Sequence, residues 1–445
     1  MKRVVKIFLV IFITSAMLFG VMACKPTTPQ PTGDVNDVKG RIRFQTIGST
    51  TAGGESVYSA ADAIIGQFKQ DYPNVSVERV EMPDTTVRTV QVSSGTIGDV
   101  FWLNESEDYQ FAITDEALIP LNDYLSTYKI NMDNVYGGII ELGRINGQIY
   151  MIARDYNQLV MFYNKTQYEK EGFTIPDGGY SWDQFSKDCV KLTHTDNDNK
   201  YTQTGADFGD FEGIYIAFMF GWGGTPFDVD HKTISLVSDD KVFQGLNAYF
   251  QAMKAGWMKQ VGINDAYVSG FDQTNSIFNF GIFPNMSSFD ATYSAKSLDW
   301  DVTTMPKFDI RPTVTCGASG HGVSVDSKNK DAAAAFCTYF WTEKGQLAYN
   351  SQEGASIPPI QSLAEQDFWK VPFAGKNYDA FVSNPEYNEF ARFGVQLPNA
   401  VSTKLLAANT GLSAAFTKAL KGSVDLKDAL QALEKTANDT WANQK

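Results

Sequence analysis

Few residues of this chain are of the types that break bonds, and their spacing does not assemble them into a catalyst. There are three histidines, His194, His231 and His321, and none has the His-x-x-x-His spacing by which one helix face holds a metal. Gly317-Ala318-Ser319-Gly320-His321 approaches a nucleophile elbow, but the Gly-x-Ser-x-Gly turn needs glycine where His321 stands. It reads instead as the glycine-rich opening of a strand over Val323 to Val325. Asp196-Asn197-Asp198-Asn199-Lys200 begins like a calcium loop and lacks the glycine and the closing glutamate that such a loop requires, so a polar turn is the reading. No P-loop or dinucleotide glycine fingerprint is present, and no segment sets two carboxylates apart as the acid and base of glycoside hydrolysis. The expectation is a binding protein rather than an enzyme, with no metal and no cofactor.

Polar side chains at the ends of strands are the better candidates, because ligands of open α/β sheets sit outside those ends. Ile149 to Ile152 and Leu159 to Tyr163 are short β-branched and aromatic runs, which read as strands. Between them lies Arg154-Asp155-Tyr156-Asn157-Gln158, a polar patch suited to a crossing between domains and to holding a polar ligand. Asp155 and Asn157 are its candidate ligand contacts, and Ser49 and Thr50 follow the first strand. Glu212 opens a helix, facing either a cleft or its own backbone. Trp222 is equally a stacking ring or a core residue, and His321 is either a donor to ligand or a surface or backbone-bonded histidine.

The elements that position these residues alternate. Arg41 to Thr46 reads as a strand, and Val57 to Tyr72 as a helix with Ala61, Ile64, Ile65 and Phe68 on one face. Val75 to Val80 is a strand, Thr85 to Ser94 a helix and Asp99 to Leu103 a strand. This βαβαβ order predicts mostly parallel sheets flanked by helices. Ser181 is the expected cap of a helix whose first turn carries Asp183.

The remaining properties bound the class. Lys2, Arg3 and Lys6 precede an apolar run from Ile7 to Phe19 and the small-residue exit Val21-Met22-Ala23-Cys24, a secretory signal over 1–23. Cys24 after Ala23 resembles a lipobox cysteine, the site of lipidation. The apolar run is about 17 residues, short for a bilayer-spanning helix. Lys25 to Gly40 carries three prolines and no apolar period, and reads with Cys24 as a solvated tether reaching up to about 50 Å. The residues beyond it exceed one comfortable core, so two lobes are expected. A net charge of −14 argues against nucleic acid and anionic membrane surfaces as partners. Cys189, Cys316 and Cys337 are an odd set in an exported chain and read as buried free thiols in preference to a Cys316–Cys337 bridge.

Gly147, Tyr150, Tyr163-Asn164-Lys165, Gly172, Trp182 and Phe185 stand in the order and spacing of a known series. Phe68-x-x-x-Tyr72-Pro73-x-Val75, Ser94-Gly95-Thr96-x-x-Asp99-Val100-Phe101-Trp102, Leu118-Ile119-Pro120-Leu121 and Ser356-Ile357-Pro358 extend it over nearly the whole mature chain. The sequence thereby resembles the sugar-binding group of extracellular solute-binding proteins of ABC importers, the maltose-binding type. It departs from that pattern at Ala153-Arg154, where the family carries proline. The resemblance implies the two-lobed type II periplasmic-binding-protein fold with a ligand cleft between lobes. The lobes would be 41–154 plus 301–348 and 155–300 plus 349–445, with crossings near Asp155, Thr303 and Tyr349. It also implies a lipid-anchored monomer outside the cytoplasmic membrane that delivers a sugar or short oligosaccharide to a permease. By the same resemblance Trp102, Asn104 and Glu105 would meet the sugar. Ser287, Ser288 and Asp290 would occupy the loop where relatives stack a tryptophan, with Ser288 in its place and Phe289 as a substitute ring. Two alternatives stay open: a polyol or glycerol phosphate ester as ligand, signalled by a basic cleft for which Arg154 and Arg392 are the tempting cations, or a surface carbohydrate sensor without a permease.

Overall fold

The computed structural model describes residues 34–50, 55–82, 84–104, 110–208, 211–260, 270–352, 356–370 and 373–444. The signal segment 1–23, Cys24, the tether as far as residue 33, and Glu105 lie outside the described residues. The segment read as tether ends earlier than Gly40: Val38 is buried in the core, and Asn74 Nδ2 donates to the Asn36 carbonyl at 2.9 Å. A lone valine makes no periodic signal, which is why the sequence pattern misses it.

Two mixed sheets organise the chain. The first runs in the order Val75–Glu81, Gly40–Thr46, Val100–Asn104, Ser319–Val323 and Ile152–Ala153. Its first three strands are parallel, joined by the helices Ser59–Asp71 and Thr85–Ser93, as the βαβαβ reading predicts. Ser319–Val323 returns antiparallel to both Val100–Asn104 and Ile152–Ala153. There the Gly320 backbone lies so close to its neighbour that an added Cβ would stand 2.4 Å from the Ile152 carbonyl oxygen, which accounts for glycine at this point of the strand.

The second sheet runs His194–Thr195, Tyr201–Phe208, Ser276–Gly281, Val160–Tyr163 and Asp301–Thr304, with Met258–Gln260 parallel to Tyr201–Phe208. All four residues of Val160–Tyr163 are buried, which is why the run is uninterruptedly apolar. Its side chains alternate between two cores: Val160 and Phe162 face one cluster, Met161 and Tyr163 the other. Asp301–Thr304 pairs antiparallel with this strand, and the chain regains the first sheet only at Ser319–Val323. A small sheet of Asn388–Phe390, Val314–Gly317 and Asn157–Gln158 sits where the chain passes between the two.

Local signals behave as their chemistry dictates. Ser181 accepts from the Gln184 N–H and starts Trp182–Lys191; Asp84 accepts from the Val87 N–H and starts Thr85–Ser93. Cys189, Cys316 and Cys337 are buried, and among the described residues none is joined in a disulfide. Among the described residues no helix is long and apolar enough to cross a membrane.

Candidate ligand-binding site

A groove of about 580 Å³ opens between residues of the two halves of the chain, within the range of about 300–1,000 Å³ usual for small-molecule sites. On one side helix Thr85–Ser93 presents Thr89, and the helical turn Gln110–Thr114 presents Gln110 and Phe111, followed by Asp115. On the other side stand Glu212, Arg392, Gly394 and, from the helix Asn399–Leu406, Asn399, Ser402, Thr403 and Leu406.

Glu212 opens Glu212–Gly221, a helix almost wholly buried, so its carboxylate is held at a positive helix end beside the groove. Its Oε1 accepts from Arg392 Nη1 at 3.0 Å and its Oε2 from the Phe393 N–H at 3.3 Å. Burial pushes the Glu212 carboxyl above its ordinary value, and the Arg392 charge opposes that rise. The Arg392 guanidinium also lies over the Phe211 ring, 4.9 Å from its centroid. Behind the opposite wall, fully buried Arg88 lies 5.0 Å from the Trp102 ring centre and 5.5 Å from that of Phe111, and its Nη1 donates to the Trp102 carbonyl at 3.2 Å. Among the described residues the lining therefore combines hydroxyls, amides, one aromatic ring and three ionisable groups, of which Arg392 is the single cation and is already paired.

A second polar cluster lies at the first crossing and gathers several of the sequence-derived candidates. Asp155 accepts from the Ser319 backbone N–H at 2.8 Å, from Ser319 Oγ at 3.1 Å and from Asn157 Nδ2 at 3.2 Å. Arg154 Nε lies 3.3 Å from Asp155 Oδ2 and donates to Ser319 Oγ at 2.8 Å, while its Nη1 donates to the Tyr349 hydroxyl at 3.1 Å. Ser49 Oγ stands 3.4 Å from that hydroxyl. Thr50 completes the two-residue strand Ser49–Thr50.

The other candidates separate. Asn104 and Trp102 sit on Val100–Asn104 opposite Ser319 and His321; Trp102 is partly exposed, and its indole Nε1 has no partner among the described residues. His321 is wholly buried, its ring 4.8 Å from Phe44 and 4.7 Å from Phe340, with Nε2 3.1 Å from Thr46 Oγ1. It is therefore a core histidine of the first sheet. Trp222 is half-buried and packs against the second core, stacked on Phe218 at 5.6 Å and edge-on to Trp182 at 6.3 Å. Ser287, Ser288 and Asp290, read as loop residues, stand on the helix Met286–Ser294. Ser288 Oγ donates to the Asn285 carbonyl, Asp290 accepts from the Trp300 indole at 3.0 Å, and Phe289 is buried edge-on against Phe162 and Phe271. Of the candidates among the described residues, only Glu212 lines the groove. Thr89, Gln110, Phe111, Asn399, Ser402, Thr403 and Leu406 carry no motif that the sequence alone makes visible.

Residues 51–347 match the family model described as bacterial extracellular solute-binding protein. The chain belongs to this family. A curated relative, a multiple sugar-binding protein of Streptococcus mutans, is 22% identical over 347 residues, covering 71% of this chain and 77% of that protein. The cyclic alpha-maltosyl-1,6-maltose binding protein from Arthrobacter globiformis superposes with a TM-score of 0.72 at 18% identity, over 91% of this chain and 100% of the other. UgpB from Mycobacterium tuberculosis, solved with glycerophosphocholine, gives 0.68 at 16% identity over 91% and 99%. These likenesses show the fold: the two-lobed, type II periplasmic-binding-protein architecture of this family, with its ligand cleft between the lobes.

Proposed function

We propose that this protein is the substrate-binding component of an ABC importer and captures a neutral sugar or short oligosaccharide in the groove between Phe111 and Glu212. The observation that carries the reading is the charge of that groove: among the described residues its one cation is Arg392, which Glu212 neutralises, and Asp115 adds a second carboxylate. A phosphate ester needs unspent positive charge. A sugar needs hydroxyl, amide and carboxylate partners for each desolvated hydroxyl, with apolar surface under its C–H faces, and Thr89, Gln110, Asn399, Ser402, Thr403, Phe111 and Leu406 supply both. Half a dozen such bonds with one or two ring contacts suffice for about −8 kcal/mol, the micromolar range. The sugar-binding relative and the cyclic maltoside-binding neighbour support the same class.

The reading extends to the whole chain. Two lobes, one around each sheet, close on the ligand by small dihedral changes at the crossings, and a permease distinguishes the closed form by its differential affinity for it. The chain acts as a monomer, is exported by its signal segment, and is held at the outer face of the cytoplasmic membrane through a lipid on Cys24. It releases the ligand unchanged, without catalysis.

A thermal-shift screen of the protein against mono- and oligosaccharides, with glycerol phosphate esters alongside, tests the ligand class, because binding to the native state raises the melting point. A shift with sugars alone is the expected result. A shift confined to phosphate esters, or a flat response to every sugar, overturns the proposal.

A further inference from the structure

We infer that Asp115 and Gln110 form a subsite for an ammonium group, so that the groove prefers amino sugars to neutral sugars of the same skeleton and disfavours their uronic acids. The inference rests on the sugar-binding reading above and ranks the ligands within that class.

The charges of the groove do not cancel. Among the described residues its lining holds two carboxylates, Asp115 and Glu212, against one guanidinium, Arg392. Both oxygens of Glu212 are engaged, Oε1 by Arg392 and Oε2 by the Phe393 N–H. Asp115, on the facing wall, is therefore the uncompensated negative charge of the lining.

Asp115 follows the helical turn Gln110–Thr114, and its N–H donates to the Gln110 carbonyl at 2.9 Å. The two side chains are joined as well, Gln110 Nε2 donating to Asp115 Oδ1 at 2.9 Å. That bond engages the donor end of the amide. Gln110 Oε1 and Asp115 Oδ2 are left as acceptors on bonded neighbours, with no donor to either among the described residues. A sugar hydroxyl brings one donor to such a pair, whereas an ammonium brings three and a positive charge. A uronate brings a like charge to the same wall, and the one cation opposite is already held by Glu212. Asp115 is exposed, so water screens the attraction and the preference is worth about threefold in affinity.

Two matched series test it: cellobiose, the β-1,4-linked glucosamine disaccharide and cellobiuronic acid, and the single rings glucose, glucosamine and glucuronic acid. Each is titrated calorimetrically into the full chain at pH 7 and physiological salt, where charges farther off than about 8 Å are screened. The amino member should bind about threefold tighter than the neutral one, and the uronate weakest. At pH 9.5, above the usual amine range of about 8, the ammonium is discharged and the ratio should fall to about one. Asp115→Asn should bring the ratio to about one already at pH 7, and Asp115→Glu, which keeps the charge, should retain most of it. Circular dichroism establishes that each variant is folded, and the pH series of the parent decides if one is not. Equal binding of amino and neutral members by the parent, or a preference that survives Asp115→Asn, overturns the inference. If none of these probes binds while other neutral sugars raise the melting point, the inference alone falls. If no sugar binds at all, the proposed function falls and the inference with it.

Discussion

The carboxylate of Glu212 and the guanidinium of Arg392, 180 residues apart in sequence, meet at 3.0 Å in the wall of the groove. Glu212 is 5% exposed at its side chain and Arg392 32%, so the pair presents the arginine edge to a ligand while its charge is spent on the buried acid. On the proposed function, this relationship sets which ligands the groove accepts.

Replacing Glu212 by Gln removes the neutralising charge and leaves the shape. Sugar affinity should fall about tenfold or more, the worth of a hydrogen bond with one charged partner. Affinity for glycerol phosphate, negligible in the parent, should appear as Arg392 is released. Isothermal titration of both ligands against both proteins checks the pair of changes, and unchanged sugar affinity would mean that Glu212 does not touch the ligand.

Trp222 and Phe111 should behave in opposite ways. Trp222 packs on Trp182, Phe218 and Phe308 against the second core and does not line the groove, so Trp222→Phe should cost about 1–2 kcal/mol of stability and leave affinity alone. Phe111 lines the groove with Arg88 behind it. Phe111→Leu should weaken sugar binding about fivefold, the scale of one aromatic contact. Urea denaturation and titration on the same samples separate the two effects.

What was legible in the sequence was local. Val160–Tyr163 declared itself because both its faces are buried, Ser181 because a capping hydroxyl precedes an acidic turn, and the buried polar patch at Asp155 because charged groups interrupt two apolar runs. The groove was not legible, because its walls come from segments as distant as Thr89 and Thr403, each an ordinary polar position on a helix surface. Ser288 and Asp290 misled for a related reason: a serine and an aspartate look alike whether they await a ligand or serve a nearby carbonyl and the Trp300 indole. His321 misled because Gly320 and Gly322 on either side of it carry no side chains to signal a core, whereas they let neighbouring strands approach closely and the ring packs against Phe44 and Phe340.

Asp207 should make the folded state more stable in mild acid. Burial, opposed by the Phe271 N–H and Lys259, pushes its carboxyl up from 3.8 to about 6. Between those values the folded state holds a proton that the unfolded state does not, so this contribution is full below about pH 3.8 and lost as pH rises through about 6. Asp207→Asn should remove it, and the variant's stability should decline more steeply on acidification than the parent's, as followed by urea midpoints from pH 7.5 to 4.5.

His321 supplies the opposite slope. Burial and the charge of Arg154 push its imidazole well below 6.5, and the groups that face it are the Phe44 and Phe340 rings and the Thr46 hydroxyl, none of which stabilises an imidazolium by charge. The unfolded chain takes up a proton below pH 6.5 and the folded chain does not, so stability is full above pH 6.5 and falls below it, by up to about 1.4 kcal/mol for each pH unit. Each of the two groups exchanges a single proton, so below about pH 6 their slopes oppose each other. The parent should therefore lose stability between pH 6.5 and 6 and then show little further slope from this pair. His321→Gln keeps a polar atom near Thr46 without a titrating ring, and it should turn the slope around, so that the variant gains stability from pH 6 towards 4.5 while Asp207→Asn loses it. The same loss on acidification in His321→Gln as in the parent would show that the imidazole accepts its proton inside the fold.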